Sequence, residues 1–139
     1  MLEHIQPEGL FRSERLGFTQ VVAAPSGRTV FVSGQTACDA RGRPVGGKDV
    51  AAQAGIALEN VGLALAAAGA KPADVTMLRL YVVGYTPAMA PDIGARVSQF
   101  FAGVKPPAST WLGVQALFHP DFLIEIEAVA VVPDRAPAG

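Results

Sequence analysis

The most informative part of this chain is the stretch Leu123-Ile124-Glu125-Ile126-Glu127-Ala128-Val129-Ala130-Val131-Val132. Alternate side chains of a strand share a face, so Glu125 and Glu127 point the same way, whereas the opposite face is wholly apolar. An unpaired buried carboxylate is very costly. The acidic face is therefore expected to meet solvent, a cleft or another subunit.

The residues before this stretch alternate between strand and helix patterns. Residues 107–114, Pro107-Ala108-Ser109-Thr110-Trp111-Leu112-Gly113-Val114, form another extended run. Residues 18–22 and 29–35 read as two strands, and the turn signal Pro25-Ser26-Gly27 between them predicts a hairpin. Helices are predicted at 50–68, after the capping residue Asp49, and at 91–102, with a strand at 75–83 between them.

The predicted order of elements is ββαβαββ, which indicates an α+β fold. Two helices cover one face of a mixed, mostly antiparallel sheet. The other face stays uncovered, and an uncovered apolar face is an association surface, so a homo-oligomer is expected. The chain reads as a single domain over 1–139, with an N-terminal arm at 1–16 and a flexible tail at 133–139.

Composition excludes several classes of protein. Half of the 139 residues are hydrophobic and 17% are charged, which favours a packed core. The net charge of −1 provides no excess of positive charge with which to bind nucleic acid or an anionic membrane. Cys38, the one cysteine, has no partner for a disulfide or a metal. We find no signal peptide and no apolar run of transmembrane length, so a cytoplasmic location is expected.

Taken together, these residues resemble the reactive-intermediate deaminase family, also called RidA, YjgF or L-PSP. The resemblance rests on Val32-Ser33-Gly34-Gln35, on Ala51-Ala52-Gln53 and Phe100-Phe101 at the ends of the two helices, and above all on 107–114 and 124–131. It implies a chorismate-mutase-like fold and a homotrimer whose sheets line a central barrel. It also implies small-molecule clefts between neighbouring subunits, with no metal and no organic cofactor.

The resemblance also points to residues that differ from the family pattern. Active relatives hydrolyse enamines and imines, and they clamp the substrate carboxylate with an arginine directly after the Pro-Ala of the closing motif. Here that position is Ser109. A hydroxyl cannot replace such a bidentate pair. Three further positions of the family pattern hold different residues here. The family's tyrosine is replaced by Phe18, its cysteine by Trp111 and its asparagine by Gly94. The arginines that can substitute for the clamp are Arg12, Arg15 and Arg79.

Other positions match the family. Glu125 corresponds to the glutamate that positions the attacking water, and it is the candidate catalytic residue. The candidate ligand-binding residues are Phe18, Ser33, Gly34, Ser109 and Trp111. Structural roles are open for three of these residues. Glu125 can be a structural carboxylate bonded to a backbone N–H or an arginine. Ser109 can be a small residue that makes room for the indole of Trp111, and Trp111 can fill a subunit interface.

Three functions follow from these observations. The first is an enzyme that adds water to a C=N carbon, with Glu125 positioning the water. The second is a non-enzymatic trimer that senses a small molecule or binds another protein through the same clefts. The third is the endoribonuclease activity attached to some relatives, which the acidic balance and the lack of a basic aromatic stripe disfavour.

Overall fold

A four-stranded mixed sheet with two helices forms the centre of the protein. The structure, a computed structural model, describes residues 1–134, so the expected tail at 133–139 lies almost wholly outside the described residues. The elements are β1 (Glu3–Ile5), β2 (Val21–Ala23), β3 (Arg28–Thr36), α1 (Val50–Ala67), β4 (Val75–Val83), α2 (Ala90–Phe100), β5 (Ala108–Val114) and β6 (Ile124–Val132). The predicted α+β class is confirmed, and β1 is a short strand within the arm.

The acidic stretch becomes an inner strand of the sheet. The strand order is β3-β6-β4-β5, and β6 runs antiparallel to both of its neighbours. β4 and β5 are parallel, as the intervening helix α2 allows. The mixed, mostly antiparallel sheet is therefore confirmed.

The core lies between the helices and one face of this sheet, the helix-covered face. Its sheet residues are Ile124, Ile126, Ala128 and Ala130 on β6 and Leu78, Leu80 and Val82 on β4, all buried. Glu125 and Glu127 lie on the opposite side, the open face, which no helix covers in the described part of the chain. Phe31 on β3 lies beside Val129 on this open face and is 79% exposed.

Helix α1 is the main covering element. The Asp49 carboxylate caps it by accepting from the N–H groups of Ala51 and Ala52 at 2.9 and 3.3 Å. By length and composition alone α1 could cross a membrane, but its apolar stripe packs on the sheet and forms the core. The stripe includes a buried amide that the apolar pattern did not predict. Gln53 bonds the carbonyls of Gly47 and Asp121 and the N–H of Leu123.

The predicted hairpin is wrong. β2 pairs with β1, and within residues 1–134 it makes no ladder with β3. The reason lies at Thr19, whose N–H and hydroxyl donate to the carbonyls of Pro107 and Pro106 at 2.9 and 2.6 Å. These bonds hold the chain before β2 beside the start of β5, at the sheet edge opposite β3. The outer edge of β3 consequently has no strand partner in the described chain.

Candidate functional site

A cavity of about 600 Å³ opens where residues 1–20, the N-terminal segment, meet α2 and β5. Its volume falls within the range of sites that bind small organic molecules. The lining residues are Arg15, Leu16, Phe18, Tyr85, Pro87, Ala90, Pro91, Gly94, Ser98, Ser109 and Trp111. Most of them are apolar or aromatic, so the cavity suits a ligand with an apolar body.

The N-terminal segment forms one wall because internal hydrogen bonds fix its path. Ser13 is fully buried, and its hydroxyl donates to the Phe18 carbonyl at 2.7 Å. Gly17 adopts φ +83°, a left-handed conformation that glycine tolerates best. With Thr19 anchored to the residues before β5, this turn places Phe18 against the cavity.

Strand β5 supplies the opposite wall. Its parallel register pairs Ser109 with Leu78 and Trp111 with Leu80, so both side chains lie on the helix-covered side of the sheet. The Trp111 ring reaches α2 at Gly94, where a Cβ would lie 3.9 Å from the ring. A small residue on α2 therefore leaves room for the indole. Ser109 Oγ is buried and has no hydrogen-bond partner in the described structure.

Ser33, Gly34 and Glu125 form a second group, which lies outside this cavity. Ser33 and Gly34 together oppose one residue of β6 and so make a β-bulge, a feature that often occurs near functional sites. The bulge brings Gly34 against Glu125, where a Cβ would lie 2.7 Å from the carboxyl carbon. Only glycine lets the Glu125 carboxylate lie this close to the strand.

Glu127 has a different environment. It lies opposite Arg79 in the β4–β6 register, yet no ion pair joins the two among the described residues. Its carboxylate instead accepts a hydrogen bond from the Tyr81 hydroxyl. This bond, together with burial and the nearby negative charge, raises the pKa of Tyr81. Glu127 is therefore engaged in the sheet.

One chain thus brings together part of the predicted site. Phe18, Ser109 and Trp111 share the cavity, whereas the group around Glu125 lies apart from it. Sequence reasoning missed Tyr85, because the residues from Tyr85 to Pro87 read only as a break after a strand. It named Arg15 as an alternative cation without placing it. Arg15 is the one charged side chain that lines the cavity within residues 1–134.

Comparisons with known proteins agree with this architecture. A family model described as Endoribonuclease L-PSP matches residues 13–132. The Rid-family protein YyfB of Yersinia pestis is 44% identical over 94% of this chain and 98% of its own, with a TM-score of 0.91. Rv2704 of Mycobacterium tuberculosis, of the YjgF/YER057c/UK114 family, is 32% identical over 95% and 100% of the two chains, with a TM-score of 0.63.

A third solved structure contains a ligand. TdcF of Escherichia coli, with bound serine, is 28% identical over 82% of this chain and 93% of its own, with a TM-score of 0.67. No curated protein matches the sequence.

Proposed function

Because the chain belongs to the RidA/YjgF/L-PSP family, we propose that it binds a small organic molecule with an apolar body in the cavity lined by Phe18 and Trp111. The observation that carries this proposal is the cavity itself. It combines two aromatic walls with a buried hydroxyl, Ser109 Oγ, that has no partner in the described structure. A buried polar atom without a partner is costly, and a ligand group can satisfy it.

The relatives support a small ligand. TdcF binds serine, an amino acid far smaller than the cavity described above. In this chain Trp111 and Phe18 face a space in the range of drug-sized ligands, and the clamp position holds a serine. We therefore expect a ligand larger and less polar than serine.

The proposed chemistry is addition of water to a C=N carbon, with Glu125 as the residue that positions the water. Glu125 lies outside the cavity of its own chain, so it must approach the ligand from a neighbouring subunit. The uncovered open face and the unpaired edge of β3 favour such an assembly. The proposed cleft combines Ser109 and Trp111 of one subunit with Gly34 and Glu125 of the next.

A second candidate function is binding without chemistry. Among the described residues, no Asp, Glu, His, Lys or Cys side chain lines the cavity. A general acid or base must lie within hydrogen-bond reach of the reacting atoms. If neighbouring subunits do not bring Glu125 to the cavity, the protein is a small-molecule sensor.

Fluorescence of the chain's one tryptophan tests the binding proposal, because Trp111 lines the cavity. We expect saturable quenching by a neutral aromatic amide such as 4-phenylbutanamide, and weaker binding in Phe18→Ala. Leu63→Ala is the control, since Leu63 is an exposed residue of α1 outside the cavity. Absence of any saturable change with aromatic ligands would contradict the proposed site.

A further inference from the structure

We propose that Arg15 is the anion-binding residue of this cavity and that the ligand is an organic monocarboxylic acid. Its carboxylate would lie at the side of the N-terminal segment, and its apolar body would lie against Trp111 and Phe18. This inference rests on the proposed function, because it assigns a ligand class to the same cavity.

The local backbone fixes the position of Arg15. It lies in the 3₁₀ turn Glu14–Leu16, which is closed by bonds from Leu16 N to Ser13 O at 2.8 Å and from Gly17 N to Glu14 O at 3.1 Å. The turn is tied down at both ends by the buried residues Ser13 and Thr19. An arginine on an anchored turn beside a cavity needs less ordering to bind a ligand than one on a loose terminus.

The charge of Arg15 is available to a ligand. The neighbouring carboxylate, Glu14, is engaged by Arg12, whose guanidinium lies 2.7 Å from it. Within residues 1–134, Arg15 makes no ion pair and no side-chain hydrogen bond. Among the residues that the structure describes, no other charged side chain lines the cavity, so an anionic ligand would meet one cation and no opposing carboxylate from this part of the chain.

The chemistry of the lining selects a carboxylate. A guanidinium presents parallel N–H donors that match the two oxygens of a carboxylate. A dianion such as a phosphate ester would require further cations or several backbone N–H donors, and the lining offers a single arginine. Ser109 Oγ lies on the β5 wall as a second polar contact for the middle of the ligand.

The volume of the cavity indicates how large the apolar body of the ligand is. Arg15 would bind a carboxylate from the side of the N-terminal segment. The family's arginine would bind it from the side of β5, at position 109. A three-carbon acid would leave most of a cavity of about 600 Å³ empty. An acid with an aromatic or branched aliphatic body fills it and covers Trp111.

The test compares an acid with its neutral analogue. Trp111 fluorescence is titrated with 4-phenylbutanoate and with 4-phenylbutanamide, using wild type, Arg15→Gln and Arg41→Gln. We expect wild type to bind the acid roughly 10- to 100-fold more tightly than the amide, as a charge-assisted pair allows. We expect Arg15→Gln to remove this preference, so that this variant binds the acid no more tightly than the amide.

Arg41→Gln is the matched control for net charge, because Arg41 is exposed in the loop after β3 and lies outside the cavity. It should behave like wild type. Added salt should weaken acid binding in wild type and leave amide binding unchanged, because it screens the charged pair alone.

The outcomes separate this inference from the proposed function. If wild type binds the amide as tightly as the acid, or if Arg15→Gln keeps the preference for the acid, Arg15 is not the anchor, although the cavity still binds ligands. If neither compound changes the fluorescence, the cavity is not a ligand site and both proposals are wrong.

Discussion

At the scale of single residues, the proposed function depends on the β5 wall of the cavity and on the bulge of β3. The β5 wall carries Ser109 and Trp111, and α2 carries Gly94 beside the indole. The bulge at Ser33 and Gly34 still brings the strand against a glutamate. The chain therefore has a glycine that accommodates the Glu125 carboxylate, and it has a cavity lined by a large aromatic ring.

Gly34→Ala tests the close approach to Glu125. We expect the added methyl to displace the flexible end of the Glu125 side chain and to change the free energy of unfolding by no more than about 0.5 kcal/mol, because position 34 is exposed. The measurement is the NMR carboxyl resonance of Glu125 together with urea unfolding. Gly9→Ala is the control, because nothing lies within 4 Å of a Cβ there. An unchanged Glu125 resonance in Gly34→Ala would show that the contact has no structural role.

The sequence could place some of these residues and not others. Ser109, Trp111 and Phe18 were all named from the resemblance to the family. Arg15 and Tyr85 join the cavity through contacts between segments far apart in sequence. Local hydrophobic periodicity does not predict such contacts, because it reports the type of each element and not which distant segments pack together.

At the scale of elements, the N-terminal segment is the feature that sets the shape of the cavity. Its strand β1 pairs with β2, which directly follows the segment, and Thr19, which is 3% exposed, holds the segment beside β5. The hairpin prediction was wrong because turn residues indicate only that the chain bends locally. The pairing of β2 is set instead by the two hydrogen bonds of Thr19, whose partners lie 87 and 88 residues away in sequence. The bounds of both helices and of the four strands of the main sheet, which depend on local period and caps, agree with the prediction to within two residues, whereas the strand expected at 18–22 forms at Val21–Ala23.

Thr19→Val tests this anchor while preserving side-chain shape. The Pro106 carbonyl loses its partner, so we expect a destabilisation of about 1–3 kcal/mol. We also expect faster hydrogen exchange in residues 1–20, measured by mass spectrometry. Thr29→Val, at an exposed position on β3, is the control and should leave exchange in this segment unchanged. Equal exchange in both variants would show that other contacts hold the segment.

The pair of Tyr81 on β4 and Glu127 on β6 predicts a pH dependence. The pKa of Tyr81 is raised above its ordinary value of 10.0, first by its hydrogen bond to Glu127. A raised pKa means that the folded state holds the proton more tightly. The stabilisation is therefore complete below about pH 10 and is lost as the pH rises through the folded-state pKa.

Urea unfolding followed from pH 9 to pH 11.5 measures this loss. We expect Tyr81→Phe to remove the part of the alkaline decline that this hydroxyl causes, and Glu127→Gln to reduce it. A decline that is identical in wild type and both variants would contradict the assignment.

At the scale of the whole molecule, the chain exposes surfaces that a lone domain would normally cover. Phe31 is 79% exposed on the open face, and the outer edge of β3 is unpaired within residues 1–134. Exposed apolar faces and long unpaired edges favour association. The proposed cleft also requires a neighbour, because Glu125 lies outside the cavity of its own chain.

Light scattering at micromolar concentration should therefore give three times 14.4 kDa. We expect Phe31→Asp to lower the mass, because a charge replaces an apolar group in the interface. Leu63→Asp is the control, since Leu63 is similarly exposed, at 70%, on α1. A wild-type monomer would contradict both the assembly and the shared cleft.

Hydrolysis of 2-iminopropionate tests most directly the proposal that position 109, a serine here, provides no carboxylate clamp. Loss of a charge-assisted pair worth about 3 kcal/mol lowers kcat/KM by a factor of about 150, and Arg15 on the opposite wall does not replace that pair for a three-carbon acid. In a coupled imine-decay assay we expect wild type to fall below an arginine-bearing relative by about that factor. Ser109→Arg should gain little while Trp111 fills the space, and Ser109→Arg/Trp111→Cys should gain more. Wild-type turnover equal to that of the relative would show that another cation clamps this substrate, and the role assigned to position 109 would be wrong.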